Sequence, residues 1–156
     1  MEDRMAGQEI LVMEGKIKVP YRWAAGETGT RYLQALRDEM KFLGTRCPRC
    51  SLVYHPPRRH CPDCGTECGW EELSGRGVLL TYTVVRRHHP RLAPLDLPFA
   101  YGIVKLRGAD TGFVHLLHEF AEGELRAGLE VEAVFATERE GSILDVRYFR
   151  PVREVV

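Results

Sequence analysis

The pattern of apolar and polar positions divides the chain into a helical first part and a strand-rich second part. After a turn-rich run at residues 20–29, apolar side chains recur at spacings of three and four, as on one face of an α-helix. These side chains belong to Leu33, Leu36, Met40 and Leu43. Thr28 or Thr30 is expected to cap this helix, and Gly44 is expected to end it.

The apolar stripe of this helix has two interpretations. Such a stripe usually packs against a core. The segment that follows is small, however, and an apolar face left uncovered usually marks a partner surface. The candidate partner-binding residues are therefore Leu33, Leu36, Met40 and Leu43. A weak hairpin at residues 10–19 is expected to be either a docking arm or a strand against the body of the protein.

The second part of the chain consists of short segments rich in β-branched and aromatic residues, separated by turn signals. Five strands are expected, at Val78–Val85, Phe99–Leu106, Gly112–His118, Glu130–Ala136 and Ile143–Phe149. Five short strands without a helical period predict a small closed barrel, and the OB-fold is the commonest five-stranded barrel. The expected fold class is thus mainly β with an N-terminal helix.

Two cysteine pairs with C-x₂-C spacing, Cys47 with Cys50 and Cys61 with Cys64, lie between the helix and the first barrel strand. Zn²⁺ prefers four thiolates in a tetrahedron, and two facing C-x₂-C turns supply them, so the sequence predicts a zinc ribbon. The alternative, a disulfide pair, belongs to secreted proteins, and nothing else indicates secretion. Four thiolates leave zinc no open position, so the zinc is expected to be structural. Cys68 is interpreted as a packed thiol.

Composition narrows the class of protein. A formal net charge of zero counts against a nucleic-acid-binding protein. The longest early apolar run, Ile10–Met13, is far too short for a signal segment or a membrane span. With the cysteines read as zinc ligands, the sequence favours the cytoplasm and no membrane association.

Two basic stretches are candidate sites for a ligand with a phosphorylated end and an apolar end. One lies in the loop of the zinc ribbon, and the other opens the long, partly apolar loop between the first two barrel strands. The candidate residues for binding such a ligand are Arg58, Arg59, Arg86, Arg87, His88 and Arg91. Solvated loop surfaces are the alternative interpretation of both stretches.

Several separate motifs resemble the DUF35-type zinc-ribbon/OB-fold proteins. They are Tyr21-Arg22-Trp23, Arg31-Tyr32-Leu33, Gly44-Thr45-Arg46-Cys47-Pro48-Arg49-Cys50, Cys61-Pro62-Asp63-Cys64, Ser74-Gly75-Arg76-Gly77, Tyr82-Thr83-Val84-Val85 and Pro98-Phe99-Ala100-Tyr101-Gly102. The likeness extends over residues 19–152 and implies a rubredoxin-like ribbon followed by an OB-fold. The expected organisation is an arm and helix at residues 1–44, a ribbon at 45–72 and an OB-fold at 73–156.

The resemblance implies an accessory role. Members of this family are commonly bound to thiolase-superfamily enzymes or acyl-CoA hydratases, and are proposed to bind acyl-CoA or to bridge enzyme subunits. The chain is most similar to members that pair with thiolases in the breakdown of lipids, steroids or aromatic compounds, among them the benzoylsuccinyl-CoA type. By this likeness it is expected to be the non-catalytic subunit of a thiolase-like, hydratase-like or aldolase-like complex.

The residues agree with a role without catalysis. The sequence has no G-x-S-x-G, no H-E-x-x-H and no phosphate-binding glycine loop, so the reacting groups are expected in another chain. The main alternative is a zinc-ribbon/OB-fold module that binds single-stranded nucleic acid, which requires basic residues interleaved with exposed aromatic ones. The predicted strands carry few Lys or Arg, and their aromatic residues are expected mostly in the core.

Overall fold

The computed structural model describes residues 15, 19–87 and 97–153. Most of the expected hairpin at residues 10–19, together with His88 and Arg91, lies outside the described residues. The described chain forms an α-helix, then a three-stranded sheet, then a closed five-stranded barrel.

Helix α1 spans Gly26–Gln34 and continues as a π-helical turn over Ala35–Glu39. Met40 ends it in the left-handed conformation, with φ of 55°, and the N–H groups of Met40 and Lys41 both bond to the carbonyl oxygen of Ala35. The helix begins before Thr28 and Thr30, so the prediction that one of them caps it is wrong.

The prediction that Gly44 ends the helix is also wrong, because Leu43 and Gly44 belong to strand β1 (Phe42–Arg46). The spacing of three between Met40 and Leu43 continues the helical period by coincidence across the junction. A Cβ on Gly44 would lie 2.8 Å from the Leu73 side chain and 2.9 Å from the carbonyl oxygen of Tyr54. Gly44 therefore allows two neighbouring strands to approach closely.

The sheet of the zinc ribbon has β1 at its centre. Strand β2 (Val53–Tyr54) pairs with one edge of β1 and strand β3 (Gly69–Leu73) with the other, both antiparallel. Thr45 lies opposite Tyr54 on one side and Trp70 on the other. The two cysteine pairs extend from this sheet, one directly after β1 and one between β2 and β3.

The barrel confirms the expected OB-fold. Its strands are β4 (Arg76–Val85), β5 (Phe99–Leu106), β6 (Phe113–Leu117), β7 (Glu130–Phe135) and β8 (Val146–Pro151). They close in the order β4-β5-β6-β8-β7, with β6 and β8 parallel. The last strand begins later than expected, because Ile143–Asp145 forms a 3₁₀ turn capped by the Ser142 side chain.

The helix, the ribbon sheet and the barrel share one apolar core. Leu36 from the π-helical turn, Phe42 from β1 and Phe149 from β8 are each at most 1% exposed. The ring of Phe42 lies 5.5 Å from that of Phe135 and 6.1 Å from that of Phe149. The ribbon is thus packed into the barrel through its own core side chains.

His55 lies at the centre of this junction. Its Nε2 is 3.1 Å from the hydroxyl of Tyr32, and its ring packs edge-on against Phe113, 4.6 Å away. The N–H of His55 donates to the Thr111 hydroxyl, which donates back to the His55 carbonyl. A single histidine thereby joins the helix, the ribbon and the loop between β5 and β6.

Candidate metal centre and barrel groove

The four predicted zinc ligands come together in the structure. The sulfur atoms of Cys47, Cys50, Cys61 and Cys64 all lie within 4.8 Å of one another, and those of Cys50 and Cys61 are 3.7 Å apart. A tetrahedron with Zn–S bonds of about 2.3 Å has edges of about 3.8 Å. The donor set and its spacing therefore fit a Zn²⁺ ion bound by four thiolates, as predicted.

The two cysteine loops have the same backbone hydrogen-bond pattern. The carbonyl oxygens of Cys47 and Cys61 accept the N–H groups of Ser51 and Gly65, four residues on, each at 2.9 Å. Ser51 and Gly65 both have left-handed backbones, with φ of 64° and 66°. Glycine adopts this conformation without strain at Gly65, whereas the equivalent residue of the first loop, Ser51, adopts it with a side chain.

Hydrogen bonds to the sulfur atoms favour the thiolate form of two ligands. The Thr66 hydroxyl, 3.3 Å from Cys47 Sγ, and the N–H of Cys50 lower the pKa of Cys47 to about 6. The hydroxyl of Tyr54 lies 3.2 Å from Cys61 Sγ and lowers the pKa of that thiol. These donors favour the thiolate form at Cys47 and Cys61, whereas burial raises the pKa of the Cys64 thiol.

Cys68 is a packed thiol, as expected. It is 8% exposed, and burial raises its pKa, so the neutral thiol is favoured. Cys68 packs against the ligand cysteines without being one of the four whose sulfur atoms face each other. A zinc ion in this centre has a complete shell of four sulfur ligands and would hold the ribbon together.

The basic candidates do not converge on one site. Arg59 pairs with Glu27 of helix α1 and with Glu67 of the ribbon. The ribbon contacts the barrel end that holds the β5–β6 loop, whereas Arg86 follows the far end of β4 and pairs with Glu122. A strand of ten residues spans roughly 30 Å. Arg58 and Arg59 therefore lie at the opposite end of the barrel from Arg86 and Arg87.

The helical stripe is not a single exposed face. Leu36 is fully buried in the shared core, and Leu33 and Leu43 are half-buried against it. Met40 alone among the four is exposed, at 52%. The stripe therefore serves mainly as core, and Leu36 is not accessible to a partner.

A groove on the barrel was not anticipated. It has a cavity volume of about 700 Å³ and lies between the outer face of β5 and β6 and the turn that precedes β8. Its lining residues include Tyr101, His115, Leu144 and Arg147. Tyr101 is 36% exposed and Tyr82, elsewhere on the barrel, is 40% exposed, so the expectation of a core position is wrong for these two aromatic residues.

Within the described ranges, no helix is long and apolar enough to cross a membrane.

Ribbon and barrel together define the class: a structural zinc ribbon joined to an OB-fold. Two domain models of one family match consecutive parts of the chain. The ChsH2 rubredoxin-like zinc ribbon domain matches residues 35–71, and the ChsH2 C-terminal OB-fold domain matches residues 70–136. The chain belongs to the DUF35-type zinc-ribbon/OB-fold family, which confirms the resemblance seen in its motifs.

Two curated relatives match similar shares of the chain. A probable enoyl-CoA hydratase alpha subunit from Thermomonospora curvata is 29% identical over 93 residues, which are 60% of this chain and 28% of the relative. A DUF35 domain-containing scaffold protein from Methanothermobacter thermautotrophicus is 29% identical over 101 residues, 64% of this chain and 74% of the relative. The chain thus spans little more than a quarter of the hydratase subunit that it matches.

Solved structures show the same fold. A chain of the Ltp2-ChsH2(DUF35) aldolase superposes with a TM-score of 0.61 at 24% identity, covering 83% of this chain and 98% of that one. A DUF35 protein of unknown function from Sulfolobus solfataricus superposes with a TM-score of 0.56 at 18% identity, covering 70% and 78%.

Proposed function

We propose that this protein is a non-catalytic accessory subunit of an enzyme that acts on acyl-CoA. The likeness to an enoyl-CoA hydratase alpha subunit carries this proposal, because it extends over 93 residues of a chain whose zinc ribbon and barrel both match one family. It favours a hydratase-like partner. A thiolase-like partner in lipid, steroid or aromatic-compound breakdown is the second form of the same proposal.

The chemistry of the described residues is consistent with a non-catalytic role. A zinc ion held by four thiolates has no open position for water or substrate. Within the described ranges, no hydroxyl or thiol of Ser, Thr or Cys is hydrogen-bonded to a histidine ring, so the pairing typical of an activated nucleophile is missing there. The partner would supply the reacting groups, and this chain would position the substrate and exclude water.

An exposed aromatic arm ahead of helix α1 supports partner binding. Tyr21 is 72% exposed and Trp23 is 77% exposed, and their rings stack against each other 5.3 Å apart. Large aromatic side chains left in water are typical anchors of protein interfaces. Together with Met40, they replace Leu36 as candidates for the docking surface.

We keep Arg86 and Arg87 as the proposed contact for the phosphates of coenzyme A. Arg58 and Arg59 lie at the other end of the barrel and are not part of this contact. The pair between Arg86 and Glu122 is exposed on both sides and is therefore weak, so a phosphate can replace the carboxylate. Changing both arginines to Ala should weaken acyl-CoA binding to the complex by about tenfold to a hundredfold. Arg107→Ala, at the other end of the barrel, is the control, and equal affinities of both variants would exclude this contact.

Mild affinity purification from the native host tests the accessory role. The zinc-loaded tagged chain should bring down one acyl-CoA hydratase or thiolase subunit in stoichiometric amount, identified by mass spectrometry. A Trp23→Ser and Met40→Ser double variant should lose that subunit while keeping its zinc. Recovery of the chain alone, or with RNA that high salt releases, would contradict the proposal and favour the nucleic-acid module.

A further inference from the structure

The outer face of strands β5 and β6 carries apolar side chains that the described fold leaves uncovered. The register pairs Tyr101 with Leu116 and Ile103 with Val114, so these side chains point away from the barrel interior on one side of the sheet. Val114 is 64% exposed. This face forms the first wall of the groove.

His115 closes the floor of the groove. Among the described residues, β6 and β8 pair only at Leu117 and Phe149, so the sheet opens toward the start of β6. The His115 ring spans this opening: Nδ1 accepts the N–H of Leu116 at 2.9 Å, and Nε2 lies 3.4 Å from the carbonyl oxygen of Ile143. A backbone N–H can only donate, so the proton of the neutral ring is on Nε2.

The opposite wall is a rigid turn that presents apolar side chains to solvent. The buried carboxylate of Asp145 accepts the N–H groups of residues 140–142 at 2.8 to 3.2 Å. The hydroxyl of Ser142 accepts the N–H of Leu144 at 2.9 Å. Leu144 is nevertheless 75% exposed. The hydrogen-bonded turn thus presents a large apolar side chain to water.

The rim of the groove carries a positive charge, Arg147, that no carboxylate of the described ranges pairs with. Glu119 is engaged by the hydroxyl of Tyr148 and by Arg150, 3.0 Å away. Arg147 lies over the Tyr148 ring at 5.7 Å, and no carboxylate of the described residues forms an ion pair with it. The His118 ring packs against the Tyr148 ring, with the two centroids 5.2 Å apart. An anion at this rim would meet a guanidinium that forms no ion pair among the described residues.

We infer that this groove binds an apolar carboxylate, with its hydrocarbon body against Tyr101, Val114 and Leu144 and its carboxylate at Arg147. The volume of about 700 Å³ is typical of small-molecule sites, which combine apolar walls with a few polar groups. Guanidinium groups bind carboxylates with paired, charge-assisted hydrogen bonds. The inference stands on the groove alone and does not depend on the proposed accessory role.

Octanoate and octanamide form a matched pair of probes, because they share the hydrocarbon chain and differ in charge. Each is titrated into the full-length, zinc-loaded, ¹⁵N-labelled protein while amide resonances are followed by NMR. The largest shifts are expected in β6 and in the turn before β8. Octanoate should saturate with a dissociation constant on the order of 1 mM or tighter, and octanamide more weakly.

Three variants separate the charge from the apolar wall. Arg147→Gln should weaken octanoate by about tenfold and leave octanamide within about twofold. Leu144→Ser should weaken both ligands to a similar degree, since it removes shared apolar contact. Arg107→Gln, an exposed arginine at the other end of the barrel, should change neither, and the spectra of all three variants should show the native fold.

Three outcomes would overturn the inference. Octanoate shifts confined to another part of the chain would place the site elsewhere. If Arg147→Gln weakened the binding of octanoate and octanamide equally, the guanidinium would not be the group that binds the carboxylate. Displacement of octanoate by coenzyme A without an acyl group would show that the groove takes phosphate in place of an apolar carboxylate.

Discussion

The His55 imidazole is enclosed by rings from helix α1, strand β1 and strand β6, and burial lowers its pKa to about 4. Its Nδ1 has no hydrogen-bond partner within the described residues. The nearby His115 adds a smaller, like-charge effect in the same direction. The neutral ring is thus the form that the shared core accepts.

This burial predicts a loss of stability in mild acid. The unfolded chain titrates His55 near its ordinary pKa of about 6.5, so it binds more protons than the folded chain between pH 6.5 and 4. The contribution of the neutral ring is complete above that window and is lost as the pH falls through it. The difference between the two pKa values corresponds to about 3 kcal/mol.

Urea unfolding of wild type and His55→Gln at a series of pH values measures this effect. Release of zinc by acid is common to both proteins, so the difference between their pH slopes isolates His55. His60→Gln, an exposed histidine of the ribbon, should behave as wild type. Parallel curves for wild type and His55→Gln would disprove the assignment.

Gly77 shows how closely β4 and β5 approach each other. A Cβ at this position would overlap the carbonyl oxygen of Lys105 and lie 2.9 Å from the Leu106 Cα. Because the obstacle is backbone, Gly77→Ala should lower the free energy of unfolding by about 1–3 kcal/mol or more. Gly69→Ala, where a Cβ meets nothing within 4 Å, should cost far less in the same urea titration.

At the scale of elements, the zinc ribbon makes a simple stoichiometric prediction. Cys61→Ser should reduce bound zinc from one ion per chain to nearly none, because a hydroxyl is a poor substitute for a thiolate. Cys68→Ser removes a neighbouring buried thiol that is not a ligand and should retain one ion. Metal analysis of both purified variants checks this, and equal zinc losses would place Cys68 in the shell.

Leu36 in the π-helical turn and Met40 at its end differ in burial, and therefore in their expected contribution to stability. Leu36→Ala removes a fully buried side chain and should cost about 2–5 kcal/mol of stability. Met40→Ala removes an exposed one and should cost less than about 0.5 kcal/mol. Thermal or urea unfolding separates them, and a small effect of Leu36→Ala would mean that the helix does not pack on the core.

The sequence predicts the local elements and fails where distant segments meet. The cysteine pairs and the barrel strands are recognisable because spacing and alternation are local properties, and Phe99–Leu106 matches its strand at both ends. The end of the helix cannot be recognised from the sequence, because the apolar period continues into β1. The position of His55 depends on rings from three other elements, which spacing cannot reveal.

The candidate sites follow the same rule. The zinc centre is encoded in two short motifs and is predicted in full. The two basic stretches are predicted to bind one kind of ligand, yet the structure places them at opposite ends of the barrel. The groove assembles β5, β6 and a turn near the end of the chain, so no short motif marks it.

At the scale of the whole molecule, the shared core makes the zinc ribbon and the barrel a single scaffold. Phe42 of the ribbon packs directly against Phe135 and Phe149 of the barrel. This scaffold, with its four-cysteine site and exposed aromatic arm, is consistent with the proposed role of a subunit that positions a substrate for another chain. The expected division at residues 44 and 72 stays a prediction.

The most direct test of this account is the rate of enoyl-CoA hydration by the copurified complex, by the partner subunit alone and by this chain alone. The account predicts that this chain alone is inactive, and that adding it to the partner raises kcat/KM for the acyl-CoA substrate. Turnover by this chain alone, or a partner whose kcat/KM does not change when the chain is added, would contradict the accessory role.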